Sequence, residues 1–322
     1  MNPAQFEKDN AARWERLEKM LDSVEEAGSA RDAEELPTLF RQACHDLSVA
    51  QHRMYGPRIT GRLNSLAIRG YRALERRMSG GWQRLHEVAF REFPRAVRGE
   101  ARLVWLCMAI FWLPFLFLAV WTPHEPEWAM SLLGPQGMVQ MEGMYGHGTN
   151  PEKFMRDEFG SNFVMFAFYI WNNVGIGLRT FAGGLLGGVG SIFVLLFNGT
   201  YIGAATGYVH HACNPETFYS FVSGHSAPEL LGIVLSGVAG MRLGLSLVMP
   251  GSYDRRTALV LGGRRALVLL TGACLMIAFA AVIEGFWSAQ PLPPPVKYSF
   301  GAVMWLLTAG WLLFSGKERH AA

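Results

Sequence analysis

Beyond residue 100 the chain carries about six apolar stretches, each near the roughly 20 residues that a helix needs to cross the hydrocarbon core of a bilayer. They lie near 103–121, 161–178, 182–207, 228–249, 266–287 and 298–315. A chain with this pattern is expected to be all-α, with a six-helix membrane domain over residues 101–316. The composition agrees: of 322 residues half are hydrophobic and only 17% are charged, and the mean hydropathy is +0.16.

Residues 1–100 differ in character, with charges of both signs, and predict a soluble helical domain. Phe6, Trp14, Leu17 and Leu21 recur at helical spacing among charges. Gly28 and Ser29 break the pattern, a second helix is expected from about Leu36 to Tyr55, and "YGPR" (55–58) is another breaker. A third helix follows with Leu63, Leu66, Leu74 and Met78 along one side, closed by Gly80 and Gly81. From Arg53 to Arg102 there are 12 arginines against four acids. No nucleic-acid-binding fold motif accompanies this bias, so it points to a segment held against an anionic lipid leaflet and not to nucleic acid. The start, "MNPAQFEKDNAARWERLEKM", lacks an apolar core, and no signal peptide is expected. Cys44, Cys107, Cys213 and Cys274 are scattered without C-x-x-C spacing, which suggests neither a disulfide framework nor a cysteine-only zinc site.

Loop charges set the expected orientation. The N-terminal domain, the 250–265 loop (Arg255, Arg256, Arg264, Arg265) and the tail "GKERH" are basic, whereas 208–227 has no Lys or Arg and 122–160 has only Lys153 and Arg156 against six acids. Both termini are therefore expected in the cytoplasm. The outer 122–160 loop, Met-rich and amphipathic, either lies along the membrane surface or packs as a helix over the bundle.

Small residues inside the spans let helix backbones approach closely. Gly183/Gly187, Gly203/Gly207 and Gly240/Gly244 have the small-xxx-small spacing and are assigned to helix packing, within the chain or in a homodimer. Polar residues inside spans are costlier and more informative. Asn172 and Asn173 fall in the second span, Asn198 in the third, Arg242 in the fourth and Glu284 in the fifth. Arg179 and Arg242 fall where long stems can snorkel to the cytoplasmic side. Glu229 opens the fourth span and Glu284 closes the fifth at the same outer face, which allows a cluster of His225, Glu229 and Glu284, with His210 and His211 nearby. Such a cluster is either an interhelical hydrogen-bond set or a site. A zinc set of His210, His211, Cys213, His225 and Glu229 is disfavoured, since adjacent histidines on a helix point about 100° apart. No H-E-x-x-H or G-x-S-x-G occurs, so no metal, cofactor or catalytic residue is expected. In "SGHSAPELLG" (223–232), "SAPE" fits a capping box with Ser226 as N-cap and Glu229 at N3, which would leave His225 outside the helix.

"LPTLFRQACHDLSVAQ", "RLNSLAIRGYRALERR", "IWNNVGIGLRTFAGGLLGG", "LLFNGTYIG", "GHSAPELLGIVLSGVAGMRLG" and "IAFAAVIEGFWS" occur in that order. Together they resemble the stage II sporulation protein M family, in its broader non-sporulating bacterial branch with a soluble N-terminal helical domain. By that resemblance Asn173, Asn198, Gly199, His225, Glu229, Gly240 and Glu284 occupy the family's recognisable positions. Gly224-His225-Ser226 departs from the more usual Pro-His-Gly before the glutamate. The resemblance implies a non-enzymatic membrane scaffold or assembly protein of the cell envelope, in a bacterial cytoplasmic (inner) membrane, working beside a MoxR-type AAA+ ATPase and small membrane partners. A transporter or channel through the polar outer cluster is the alternative, and a membrane-embedded hydrolase a third reading.

Overall fold

The computed structural model describes residues 2–27, 35–78, 81–149 and 151–317. The expected breakers Gly28, Ser29 and Gly80 and most of the basic tail lie outside the described residues. Among those described the chain is helical throughout, without a strand, and it divides into two compact units, Met1–Leu85 and His86–Ala322.

In the first unit, α1 (Pro3–Ala27), α2 (Leu36–His52) and α3 (Pro57–Met78) close around one core. Trp14, Leu17 and Leu21 of α1 meet Leu36, Leu39 and Ala43 of α2 and Ile59, Leu63 and Leu66 of α3. Asp46 is buried among them, and both the Trp14 indole and Arg13 donate to its Oδ2 at 2.9 Å. Those two donors satisfy a carboxylate that would otherwise be costly to bury. Arg58, Arg62 and Arg69 of α3 pair with Glu7, Glu18, and Asp22 with Glu25, all on α1. Each such half-exposed pair is worth about 1 kcal/mol or less. Part of the arginine bias that predicts a lipid-facing segment is thus taken up inside the unit.

In the second unit, α4 (Gly81–Glu87) carries the division, and a π-turn (Val88–Glu92) leads into α5 (Phe93–Gly99). Residues 86–99, which the sequence groups with the soluble domain, pack in this unit: Phe93 is buried in its core, against Trp311 at 5.4 Å between ring centres. Arg98 donates to the carbonyls of Leu312 and Ser315 at 2.6 and 2.7 Å, the orphan acceptors at the end of the last helix.

The helices that follow are α6 (Ala101–Trp121), α7 (Glu127–Tyr145), α8 (Pro151–Phe159), α9 (Asn162–Tyr169), α10 (Gly175–Ala182), α11 (Val189–Ala212), α12 (Pro215–Ser223), α13 (Ser226–Val248), α14 (Arg255–Ile283) and α15 (Pro294–Phe314). Among the described residues five stretches are long and apolar enough to cross a membrane: Ala101–Trp121, Val189–Ala212, Ser226–Val248, Arg255–Ser288 and Pro294–Phe314. This is a multi-pass membrane protein. The expected span at 161–178 is not among the five; it is α9, a π-turn (Ile170–Val174) that includes Asn172 and Asn173, and α10. Helix α13 runs through the centre with α14 along its length, while α6 turns Leu113, Leu116, Phe117 and Val120 outward. An apolar exterior of that kind is costly in water and at home among lipid tails.

Glycine sets the closest helix approaches. A β-carbon at Gly203 of α11 would stand 2.5 Å from the Phe115 carbonyl oxygen of α6, and one at Gly207 would stand 2.8 Å from that of Leu118. Gly240 and Gly244 of α13 lie as closely against the backbone of residues 180–188. "GGLLGG", however, is not a face of a spanning helix. Gly183 opens a 3₁₀ turn (Gly183–Leu185), and Gly187 and Gly188 take φ of +68° and +92°, left-handed angles that end a helix. The third span therefore starts at Val189 instead of 182.

The 122–160 segment packs as helices over the bundle. Ala129 and Leu133 of α7, which kinks at Gly134 (φ +67°), meet Ala205 and Tyr208 of α11. Met144 and Tyr145 are buried against Val209 and Phe221, and the Tyr208 hydroxyl donates to Glu142. All four cysteines are free thiols.

Candidate functional site

Helical geometry at the start of α13 begins one residue earlier than "SAPE" predicts. His225 sits at the N-cap with φ −105° and ψ −14°, and its carbonyl accepts the Glu229 amide at 3.2 Å. Ser226 caps nothing: its hydroxyl donates back to the Ser223 carbonyl and accepts the Trp305 indole N–H, each at 3.2 Å. The capping box is therefore absent, because Ser226 is turned to α12 and α15. With His225 already on the helical path, residues four apart share a face, and His225 Nε2 lies 3.9 Å from Glu229 Oε2.

Glu284 reaches the same point from the end of α14, with Oε1 3.8 Å from His225 Nε2. Its other oxygen accepts the Asn173 amide at 3.4 Å, Asn172 donates to Asn173 Oδ1 at 2.8 Å, and Tyr169 hydrogen-bonds the same carboxyl group. On the far side of the ring, His225 Nδ1 lies 2.9 Å from Ser288 Oγ, and Lys297 Nζ donates to the Ser288 carbonyl at 2.8 Å. Phe221 meets the imidazole edge-on at 5.6 Å. His225, Glu284 and Asn173 are each at least 93% buried.

Two π-turns supply much of this constellation. Ile170–Val174 carries Asn172 and Asn173, and Glu284–Ser288 carries Glu284 and Ser288. A π-turn inserts a residue into a helix and re-aims the side chains beside it, a device concentrated at functional sites. The second turn comes close to α9 at Gly285, where a β-carbon would stand 2.9 Å from Phe166 Cβ.

Cavities of about 860 Å³ and 390 Å³ adjoin the cluster. The larger is lined by Asn172, Arg179, Asn198 and Glu284, the smaller by Trp112, His225, Glu229, Glu284 and Trp305, so Glu284 borders both.

Of the residues singled out by sequence, His225, Glu229, Glu284 and Asn173 come together, and Asn198 does not join them. Its amide bonds the Val194 carbonyl of its own helix at 2.8 Å, and the residue lines the larger cavity. His210 and His211 are exposed, His210 beside the Tyr219 hydroxyl, while Cys213 is buried 3.9 Å from the Met141 carbonyl. Arg242 does not simply snorkel; its Nε lies 3.2 Å from Glu100, which also pairs with Arg265 at 3.3 Å. Sequence reasoning missed Tyr169, Ser288 and Lys297. The signal for Ser288 was its spacing of four from Glu284.

Ser288, His225 and the two carboxylates stand in the order hydroxyl, imidazole, acid. The acids lie beyond hydrogen-bond reach of Nε2, so they do not orient the ring as a nucleophile's triad requires. What the geometry does offer is three donor atoms, one each from His225, Glu229 and Glu284, all within 4.8 Å of one another.

The family model for stage II sporulation protein M matches residues 107–289, more than half of the chain. The chain belongs to the stage II sporulation protein M family. The part shared with the family runs from within α6 to just past the second π-turn, so it contains His225, Glu229, Asn173, Glu284 and Ser288, whereas Lys297 and Trp305 of α15 lie beyond it. Residues 4–76, which are α1 to α3, match a domain of unknown function (DUF8413). No curated protein and no solved structure matches the chain.

Proposed function

We propose that this member of the family is a membrane-embedded assembly component of the bacterial cell envelope, in the cytoplasmic membrane with both termini inside, and that α1 to α3 recruit its protein partners. In this reading the unbroken run of α9, π-turn and α10 (162–182) makes a sixth crossing beside the five long helices. The observation that supports this reading is a three-helix unit with its own core and its own domain family, preceding a membrane bundle. On α3 of that unit Ile68 and Tyr71 are 46% and 61% exposed, one turn apart, and offer an apolar contact. A MoxR-type ATPase is the partner class the family likeness implies, and a second copy of the chain is another. The test is purification of the full chain from its native membrane in mild detergent, with and without Ile68→Glu and Tyr71→Glu. A reproducible partner that the double variant loses supports the reading; a chain that copurifies with nothing refutes it.

A second reading, transport, is favoured by one observation: Glu284 borders both cavities, so a small polar solute could pass from one to the other beside it. Flux into reconstituted vesicles that Glu229→Gln and Glu284→Gln both abolish would support it, and vesicles that pass no tested ion or solute would exclude it.

A further inference from the structure

We propose that His225, Glu229 and Glu284 form a binding site for a divalent transition-metal ion, of the Zn²⁺ or Mn²⁺ class, inside the membrane bundle. The assignment stands on the geometry of the cluster and not on either reading of function above.

Charge comes first. Two carboxylates face one imidazole at a place where all three side chains are at least 83% buried, in a bundle whose exterior is apolar. Two ionised acids held so close would be strongly unfavourable without a compensating cation. A divalent ion makes the set neutral.

Distance comes next. A shared proton would draw imidazole and carboxylate to about 2.7–2.9 Å, yet Nε2 stands 3.9 Å from one acid and 3.8 Å from the other. These gaps are too long for hydrogen bonds. Zinc bound at about 2.0–2.1 Å in tetrahedral geometry holds its donors roughly 3.4 Å apart, so carboxylate rotation must close the two histidine gaps by about half an ångström and the carboxylate–carboxylate gap, within 4.8 Å, by up to about 1.4 Å.

Orientation is the third argument. The oxygen of Glu229 that faces Nε2 is buried and has no hydrogen-bond partner. Glu284 turns one oxygen to Nε2 while Asn173 holds the other. In the tautomer whose Nδ1–H is donated to the Ser288 hydroxyl, 2.9 Å away, Nε2 presents its lone pair to the same space. Metal-bound histidines characteristically hand their second ring nitrogen to such a partner, and ligating carboxylates are in turn hydrogen-bonded from outside. One nitrogen and two carboxylate oxygens suit Zn²⁺, Mn²⁺ or Fe²⁺ and are a poor set for a soft Cu⁺ ion. The smaller cavity touches all three residues and gives a fourth ligand, water or substrate, a way in.

The test uses the full chain in detergent, carried on a histidine-free affinity tag, stripped with chelator and dialysed against Zn²⁺, Mn²⁺ or Co²⁺ alone. The expected result is about one equivalent of metal per chain at micromolar free ion, and for Co²⁺ the visible absorption of a low-symmetry nitrogen–oxygen site. His225→Ala and Glu284→Gln should each weaken binding by at least about tenfold, and Ser288→Ala by about tenfold with the Co²⁺ spectrum retained but shifted. A parent protein that takes up less than a tenth of an equivalent of every ion overturns the proposal, as does equal uptake by the two ligand variants. If those variants do not fold, the uptake and the Co²⁺ spectrum of the parent decide it. Metal uptake is read without any partner, so its failure and that of the recruitment reading are separate events.

Discussion

Replacing Gly203 with alanine adds one methyl group where α11 presses on α6. That methyl carbon would sit 2.5 Å from the Phe115 carbonyl oxygen, about 0.9 Å inside the ordinary contact distance of 3.4 Å. Neither partner can yield as a side chain tip would, because both the oxygen and the Phe115 Cα at 2.8 Å belong to the backbone of a spanning helix. The two helices must separate, and overpacking of this kind costs about 1–3 kcal/mol. For a unit of this size each 1 kcal/mol lowers Tm by about 2–4 °C, so a fall of about 2–12 °C is expected in tryptophan-fluorescence melting of the detergent-solubilised chain. Gly310→Ala is the matched control: it lies within α15, and a β-carbon there meets nothing within 4 Å. The control should leave Tm unchanged or raise it, since alanine favours a helix over glycine by up to about 1 kcal/mol. Equal melting of the Gly203→Ala protein and the parent would refute the close approach of α6 and α11.

Three other outcomes are expected. Arg98→Gln removes a forked charge-assisted contact with the Leu312 and Ser315 carbonyls, and hydrogen exchange at the end of α15 should quicken by about tenfold or more. Trp14→Phe keeps an aromatic face but removes the indole N–H from Asp46 and leaves a gap in the core, which together should cost α1 to α3 about 2–4 kcal/mol of protection, read by exchange in α1 and α2. Asp254 caps α14 through the Thr257 amide at 3.1 Å, and hydrogen bonds from Thr257 hold its pKa below the ordinary 3.8. A depressed folded-state pKa means that the cap's contribution is complete above 3.8 and is lost as the pH falls below that value. Exchange in the first turn of α14, corrected for the intrinsic rate, should rise only in that acid range, and Asp254→Ala should show the raised rate throughout.

Much of the architecture was legible in the residues. Apolar runs long enough for a bilayer marked the five spanning helices, and loop charge together with span polarity put Glu229 and Glu284 at one end of the bundle. Three things were not legible, each for a physical reason. "GGLLGG" has the spacing of a packed helix face, but a glycine can equally well take positive φ, and only the tertiary contacts with α13 decide which. "SAPE" matches a capping box locally, yet the hydroxyl of Ser226 is engaged by Trp305, 79 residues away. The π-turns at Asn172 and Glu284 leave no periodic trace, because one inserted residue in a nearly uniform apolar stretch does not disturb its hydropathy. The same turns set the aim of Asn173 and Ser288, so the composition of the cluster could be read further than its geometry.

Glu100 grips two helices at once, Arg242 on α13 and Arg265 on α14. About 20 Å of α13 separates Arg242 from Glu229, and about 28 Å of α14 separates Arg265 from Glu284, at 1.5 Å per residue. Both distances are spanned by continuous helix, which is stiff along its axis. The carboxylate at the foot of α6 is therefore a shared anchor for the two helices that carry the cluster, placed at the opposite end of the bundle from its acids.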